Sequence, residues 1–305
     1  MVRLLRSFGA KSLTLCMLIS LIVLAGCGNT SSSGGPTTPA KIHLTVGGKL
    51  DTEAQLITEM YVLLLQKAGF DVTPKLALGT NAIVFNAITS GQIDLYPEFT
   101  ATGLAKLGLN SSGNAAQDYQ TVKQGFEQKY QITWLNAAPL NDTYGVCTLQ
   151  TAAAKLGVTM ISQLGPVASQ LTVATPPDGI KFGIDAVKTT YGFSLKYVSY
   201  NEEALTFPAV LTGKQQLNIC YTTSALIAKD SFVVLQDDKN AFPVYNPAPI
   251  VRDDTLKRAP GIAAALNPLA PKLTTEVSQQ LQLEVANGQT VEQVATAFLK
   301  SVGLL

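Results

Sequence analysis

From residue 41 onward the chain switches repeatedly between two hydrophobic rhythms. Ile42, Leu44 and Val46 alternate with polar neighbours and stop at Gly47-Gly48, which predicts a half-buried strand running into a turn. Leu56, Ile57, Met60, Tyr61, Leu64 and Leu65 then recur at helical spacing. Thr52 with Gln55 fits a capping box at the start of that helix, and Gly69 closes it. Residues 70–78 read as a second strand, which Pro74 confines to a sheet edge or an irregularity. A helix over 81–90 carries Ile83, Val84, Ala87 and Ile88 on one face, and a strand over 93–96 follows. The same rhythm returns with strands at 171–175 and 193–200, a helix at 202–211, and strands at 217–221 and 232–235. From Asp253 the chain is helical, with a cap-like Thr275 and with Thr290 and Gln293 opening a last amphipathic helix.

Strands alternating with helices imply an α/β fold with right-handed crossovers, and in such sheets ligands bind beyond the carboxyl ends of the strands. Those ends place residues 47–51, 78–81 and 96–102 at the candidate site of the first unit. Two strand-and-helix sets predict two lobes, each a mixed, mostly parallel sheet flanked by helices. If the C-terminal helices pack back on the first lobe, the chain crosses between lobes twice. A cleft between two hinged lobes is a natural trap for a small molecule.

The first 40 residues stand apart. Arg3, Arg6 and Lys11 precede an apolar run over 13–25, the order of a secretory signal, and the run is too short to span a bilayer stably. It ends in Leu24-Ala25-Gly26-Cys27, which resembles a bacterial lipobox and implies lipidation of Cys27 and removal of residues 1–26. Residues 27–40 are rich in Gly, Ser, Thr and Pro and read as a flexible, lipid-anchored stalk. The expected location is extracytoplasmic, tethered to a membrane without spanning it.

Composition narrows the chemistry. With 22 Lys+Arg against 21 Asp+Glu the chain lacks the basic excess that a nucleic-acid binder needs. A single His, His43, which sits in the first strand pattern, disfavours His-based triads and multi-His metal sites. There is no G-x-S-x-G, HExxH or P-loop, so an enzyme is not expected, nor is a metal or a cofactor. Cys147 and Cys220 are left as either a disulfide or two small buried residues. Glu98, Asp142, Asp237 and Asp238 read as solvated or structural, and Thr80 and Asn81 as helix-capping residues before ligand contacts. Tyr144, Tyr221 and Tyr245 each stand at a strand end or loop, as do Tyr96 and Phe99 in the first lobe, and these rings are the candidate recognition groups.

Four segments carry a resemblance: GGKLDTEAQLITEMYVLLLQKAGF from Gly47, LGTNAIVFNAITSGQIDLYPEFTATGL from Leu78, APLNDTYG from Ala138 and LQDDKNAFPVYNPAPIVRDD from Leu235. In this order they resemble the glycine betaine/carnitine/choline substrate-binding proteins of ABC importers. The resemblance implies a two-lobed, type II periplasmic-binding-protein-like fold, with lobe 1 at 41–138 and 248–305 and lobe 2 at 139–247. It implies an interlobe aromatic cage for a quaternary ammonium solute, made of Phe99, Tyr144, Tyr221 and Tyr245 with Tyr96 beside them. It further implies Lys49 and Thr102 at the ligand's carboxylate, with Thr80 nearby. The partners it implies are an ABC permease with its ATPase, and the expected state is a monomer. Phe99 stands where the family usually has Tyr, and the turn after Gly47 departs from the commoner Gly-Ser-Lys-Asn-Phe-Thr-Glu.

Overall fold

Ten strands assort into two five-stranded sheets, in a computed structural model that describes residues 41–305. The leader, Cys27 and the stalk lie outside the described residues. In chain order, β1 (His43–Lys49), β2 (Asp71–Gly79), β3 (Leu95–Phe99) and β4 (Ile132–Trp134) enter the first sheet. The chain then builds the second sheet from β5 (Tyr144–Leu149), β6 (Thr172–Thr175), β7 (Lys196–Ser199), β8 (Leu217–Tyr221) and β9 (Phe232–Val234), and returns to the first with β10 (Pro247–Arg252). The orders are β2-β1-β3-β10-β4 and β7-β6-β8-β5-β9. Both sheets follow one plan. On one side the pairs are parallel, β1 with β2 and β3, and β6 with β7 and β8. On the other they are antiparallel, β10 with β3 and β4, and β5 with β8 and β9. Residues Lys41–Leu305 pack as one unit.

Local chemistry explains most element boundaries. β2 lies at an edge, so Pro74, opposite Val46, removes a donor on the strand with a free side. The helix α1 (Thr52–Lys67) is capped by Asp51, whose carboxylate accepts from the Ala54 backbone N–H at 2.8 Å, and not by Thr52. Gln55 turns instead to the Leu50 carbonyl, because a carboxylate one residue earlier already meets the free N–H groups of the first turn. The final helix Val291–Ser301 has the expected capping box, with Thr290 and Gln293 each accepting from the other's backbone N–H. Thr274, not Thr275, caps the helix Thr275–Ala286.

One core joins Leu44 and Val46 of β1, Leu56, Met60 and Leu65 of α1, and Ile262, Leu281, Val294 and Leu299 of the C-terminal helices. The last 50 residues therefore complete the first sheet's core. A separate core gathers Val146, Val173, Val187, Leu217 and Ile219 in the second. The chain crosses between sheets after Trp134 and again before Pro247. The helix Thr275–Ala286 makes a third link: Gln279 donates to the Thr222 carbonyl at 2.7 Å and Gln282 to that of Thr223 at 2.8 Å, just past β8. Cys147 and Cys220 form a disulfide between the adjacent strands β5 and β8, with both residues fully buried. Among the described residues no helix is long and apolar enough to cross a membrane.

Candidate functional site

The first wall of the site begins with an irregularity at the end of β1. Pairing with β2 shifts register between Gly47 and Lys49, and a Cβ on Gly48 would lie 2.2 Å from the Leu76 carbonyl oxygen. Only glycine permits that approach. The bulge carries Lys49 inward, where its ammonium lies 2.5 Å from Glu98 Oε1 and 4.8 Å from the centre of the Phe99 ring. Glu98 is wholly buried in β3 and also accepts from the Phe99 backbone N–H at 2.8 Å and from the Tyr96 hydroxyl at 2.7 Å. Tyr96 and Glu98 are two apart on a strand and so share a face. Phe99 ends β3 and precedes the helix α2 (Thr100–Leu107), which presents Thr102 in its first turn.

The second wall is built by strand pairing. Tyr144 opens β5 and Tyr221 closes β8, directly opposite each other in the antiparallel register. Their hydroxyls are 2.9 Å apart and their ring centres 4.8 Å apart. Phe182, in the wide helical turn Ile180–Ile184, stacks on Tyr144 with ring centres 6.1 Å apart and planes 16° from parallel. Tyr245 comes from the return crossing; its backbone N–H donates to Asn141 Oδ1 at 2.7 Å, and its ring packs against the first core. Together these residues, with Asp51, Asn81, Asp142, Thr143 and Pro243, line a cavity of about 310 Å³ between the sheets.

Asp51 and Asp142 line this cavity, and Glu53 and Glu203 line the cleft beside it. Asp142 lies on the first crossing, where burial pushes its carboxyl up from the ordinary value; Asp51 raises it further, while Thr223 and Lys49 pull it down. Glu203, which accepts from the Tyr221 backbone N–H at 3.0 Å, is pushed up to about 7, chiefly by burial. Glu53 is raised well above its ordinary value by burial and by Asp142, and one of its oxygens is buried with no hydrogen-bond partner. Burial also raises the phenols of Tyr144, Tyr221 and Tyr245, so all three are neutral donors at physiological pH. Among the described residues no group of three or more His, Cys, Asp or Glu is arranged to hold a metal ion.

Of the residues singled out from sequence, Phe99, Tyr144, Tyr221, Tyr245, Lys49 and Thr102 meet in this cavity. Tyr96 and Thr80 do not. Tyr96 is fully buried behind the wall and supports Glu98, because alternation along β3 turns it away from Phe99. Thr80 is exposed at the start of the helix Asn81–Thr89 with no side-chain capping bond, and it is Asn81 that reaches the cavity. Sequence reasoning missed Phe182 and the lining position of Asp142. The available signal for Phe182 was an aromatic residue just after the turn-forming Pro176-Pro177-Asp178-Gly179.

Residues 42–301 match the family described as the substrate binding domain of the ABC-type glycine betaine transport system. The chain belongs to this family. A glycine betaine-binding protein of Escherichia coli, YehZ, is 29% identical over 300 residues, covering 93% of this chain and 96% of the relative. The carnitine transport binding protein OpuCC of Listeria monocytogenes is 26% identical, covering 96% of this chain and 94% of the relative. The solved apo structure of YehZ superposes with a TM-score of 0.79 at 28% identity, covering 87% of this chain and all of that one. The two-sheet architecture of this substrate-binding domain is therefore that of two-lobed periplasmic binding proteins. The cavity lies at the ends of β1, β3, β5 and β8.

Proposed function

We propose that the protein is the extracytoplasmic receptor of an ABC importer and captures a quaternary ammonium solute such as glycine betaine, carnitine or choline between lobe 1 (41–138 and 248–305) and lobe 2 (139–247). The observation that carries this reading is the set of five rings, Phe99, Tyr144, Phe182, Tyr221 and Tyr245, that converge on one cavity from both sides. A trimethylated ammonium has no N–H to donate, so a carboxylate cannot read its shape, whereas ring faces offer apolar contact and a negative quadrupole together. Each desolvated contact contributes on the order of 2 kcal/mol, and three or four supply much of the ~8 kcal/mol of micromolar binding. The raised phenol pKa values fit this role, since a neutral ring keeps the pocket free of phenolate charge at any physiological pH.

The remaining parts of the proposal rest on the lipobox-like sequence and on the family resemblance. Lipidation at Cys27 and the stalk over 27–40 keep the domain beside a membrane, where a permease and its ATPase receive the ligand from the closed monomer. Calorimetric titration with glycine betaine, carnitine, choline, proline betaine and dimethylglycine tests the ligand class. Trimethylated compounds bind and raise the melting temperature by mass action. Equal shifts with ordinary amino acids would sink the reading.

A further inference from the structure

The quaternary ammonium reading leaves open the charge at the ligand's other end, and the fixed charges of the cavity bear on it. A ligand carboxylate entering a half-buried site needs a free cation to replace its hydration. Among the described residues that line the cavity the one cation is Lys49, and its ammonium is already 2.5 Å from Glu98. Glu98 has no room to leave. It is fully buried and held by the Tyr96 hydroxyl and the Phe99 backbone N–H. The Lys49–Glu98 pair therefore brings no net charge to the cavity, and a ligand that drew Lys49 away would strand a buried carboxylate, which is among the most costly arrangements in a protein.

Two other carboxylates, Asp51 and Asp142, open on the same cavity. Each is held in place, Asp51 by the Ala54 N–H at 2.8 Å and Asp142 by the Thr223 hydroxyl at 2.7 Å. A third, Glu203, sits behind Tyr221 and holds its backbone N–H. The other polar lining groups, Asn81, Thr102 and Thr143, are neutral hydrogen-bonding residues. Lys181, the next cation along the chain from the cavity rim, does not line it; its ammonium lies 5.1 Å from the Phe182 ring centre. Beyond the Lys49–Glu98 pair, the charged side chains lining the cavity are thus both acidic, Asp51 and Asp142.

We infer that the site selects a quaternary ammonium ligand of net positive charge whose far end is a neutral hydroxyl, such as choline, over a zwitterion that ends in a carboxylate, an inference that rests on the quaternary ammonium reading. The rings hold the trimethylammonium head, and Asp51 and Asp142 supply its counter-charge. Asn81 and Thr102 offer the hydrogen bonds that a hydroxyl uses. Choline and glycine betaine have the same head and nearly the same length, so comparing them isolates the charge of the tail.

The test is calorimetric titration of the wild-type protein with choline and with glycine betaine at pH 8. The expected result is a choline Kd lower by about tenfold or more, the scale on which one misplaced charge separates two ligands. Asp51→Asn keeps a capping side chain and lowers choline affinity about two- to fivefold and betaine affinity by less, since betaine's carboxylate is relieved of the same charge that its head loses. Glu98→Gln frees Lys49 and moves the ratio toward betaine; thermal melting shows whether that variant is folded, and the wild-type ratio stands without it. Betaine binding as tightly as choline, or more tightly, overturns the inference and leaves the quaternary ammonium reading intact. An unchanged ratio in both folded variants also overturns it, as does no binding of either compound; the quaternary ammonium reading falls with it only when carnitine and proline betaine fail to bind too.

Discussion

The two walls of the cavity are built from different materials. On the first, Phe99 and Lys49 are 5% and 6% exposed, and Lys49 is locked to a fully buried Glu98. On the second, Tyr221 and Phe182 are 37% and 49% exposed. The first wall is fixed by buried hydrogen bonds before any ligand arrives. The second offers uncovered ring surface, and covering that surface is where binding free energy remains to be gained. The contrast teaches that disturbing the first wall costs chiefly stability, and disturbing the second costs chiefly affinity.

The largest effect is expected where the first wall is cut. Glu98→Ala leaves the Lys49 ammonium buried without its partner and destabilises the domain by about 3–5 kcal/mol, measured by urea unfolding. A loss below about 1 kcal/mol would erase the distinction between the walls, since that is the worth of an exposed pair. Next is the pH response of the second wall. Glu203 has a folded pKa of about 7, above the ordinary 4.5, so the folded state binds the extra proton between those values. Glu203 therefore contributes stability that is lost from the ligand-free protein as pH rises from about 5 to 8, at most about 3 kcal/mol, and Glu203→Gln removes that share of the slope. Affinity for a cation has the opposite sign, rising over the same window because the cation favours ionised Glu203. Parallel slopes in both measurements would contradict this.

Tyr221→Ala or Tyr144→Ala is expected to weaken binding by about 2 kcal/mol each, with little change in urea midpoint. The double variant loses less than the sum, because the two hydroxyls share one hydrogen bond of 2.9 Å and removing either ring already breaks it. The smallest effect belongs to Phe182→Ala, about 0.5–1 kcal/mol in affinity, as for a cation beside an exposed ring. If Phe182→Ala costs more than Tyr221→Ala, the uncovered ring is the principal contact and the order of the second wall is reversed.

Much of the fold was legible because its elements obey one rhythm at a time. β1, α1, β2 and β8 announce themselves through period, glycine stops and a single edge proline. β10 did not, since PAPIVR carries two prolines and yet lies between β3 and β4. The strand works there because its proline carbonyls still accept: that of Pro249 from the Leu135 N–H and that of Pro247 from the Ala138 N–H. The helix Ala115–Tyr130 escaped notice for another reason, as Val122 and Phe126 are its only fully buried apolar residues and the rest of its surface is polar. At the site, rings at strand ends were visible one by one, but the pairing of Tyr144 with Tyr221 is a register fact, and the engagement of Lys49 with Glu98 depends on a bulge. Neither is written in local sequence.

The two glutamines that reach from the helix Thr275–Ala286 to the carbonyls of Thr222 and Thr223 also say where motion can originate. A rotation of one half against the other that preserves both bonds has its pivot beside that turn, one residue beyond Tyr221. Atoms near a pivot sweep short arcs and remote atoms sweep long ones. In such a rotation Tyr221 moves little while the far rims of the two halves travel furthest.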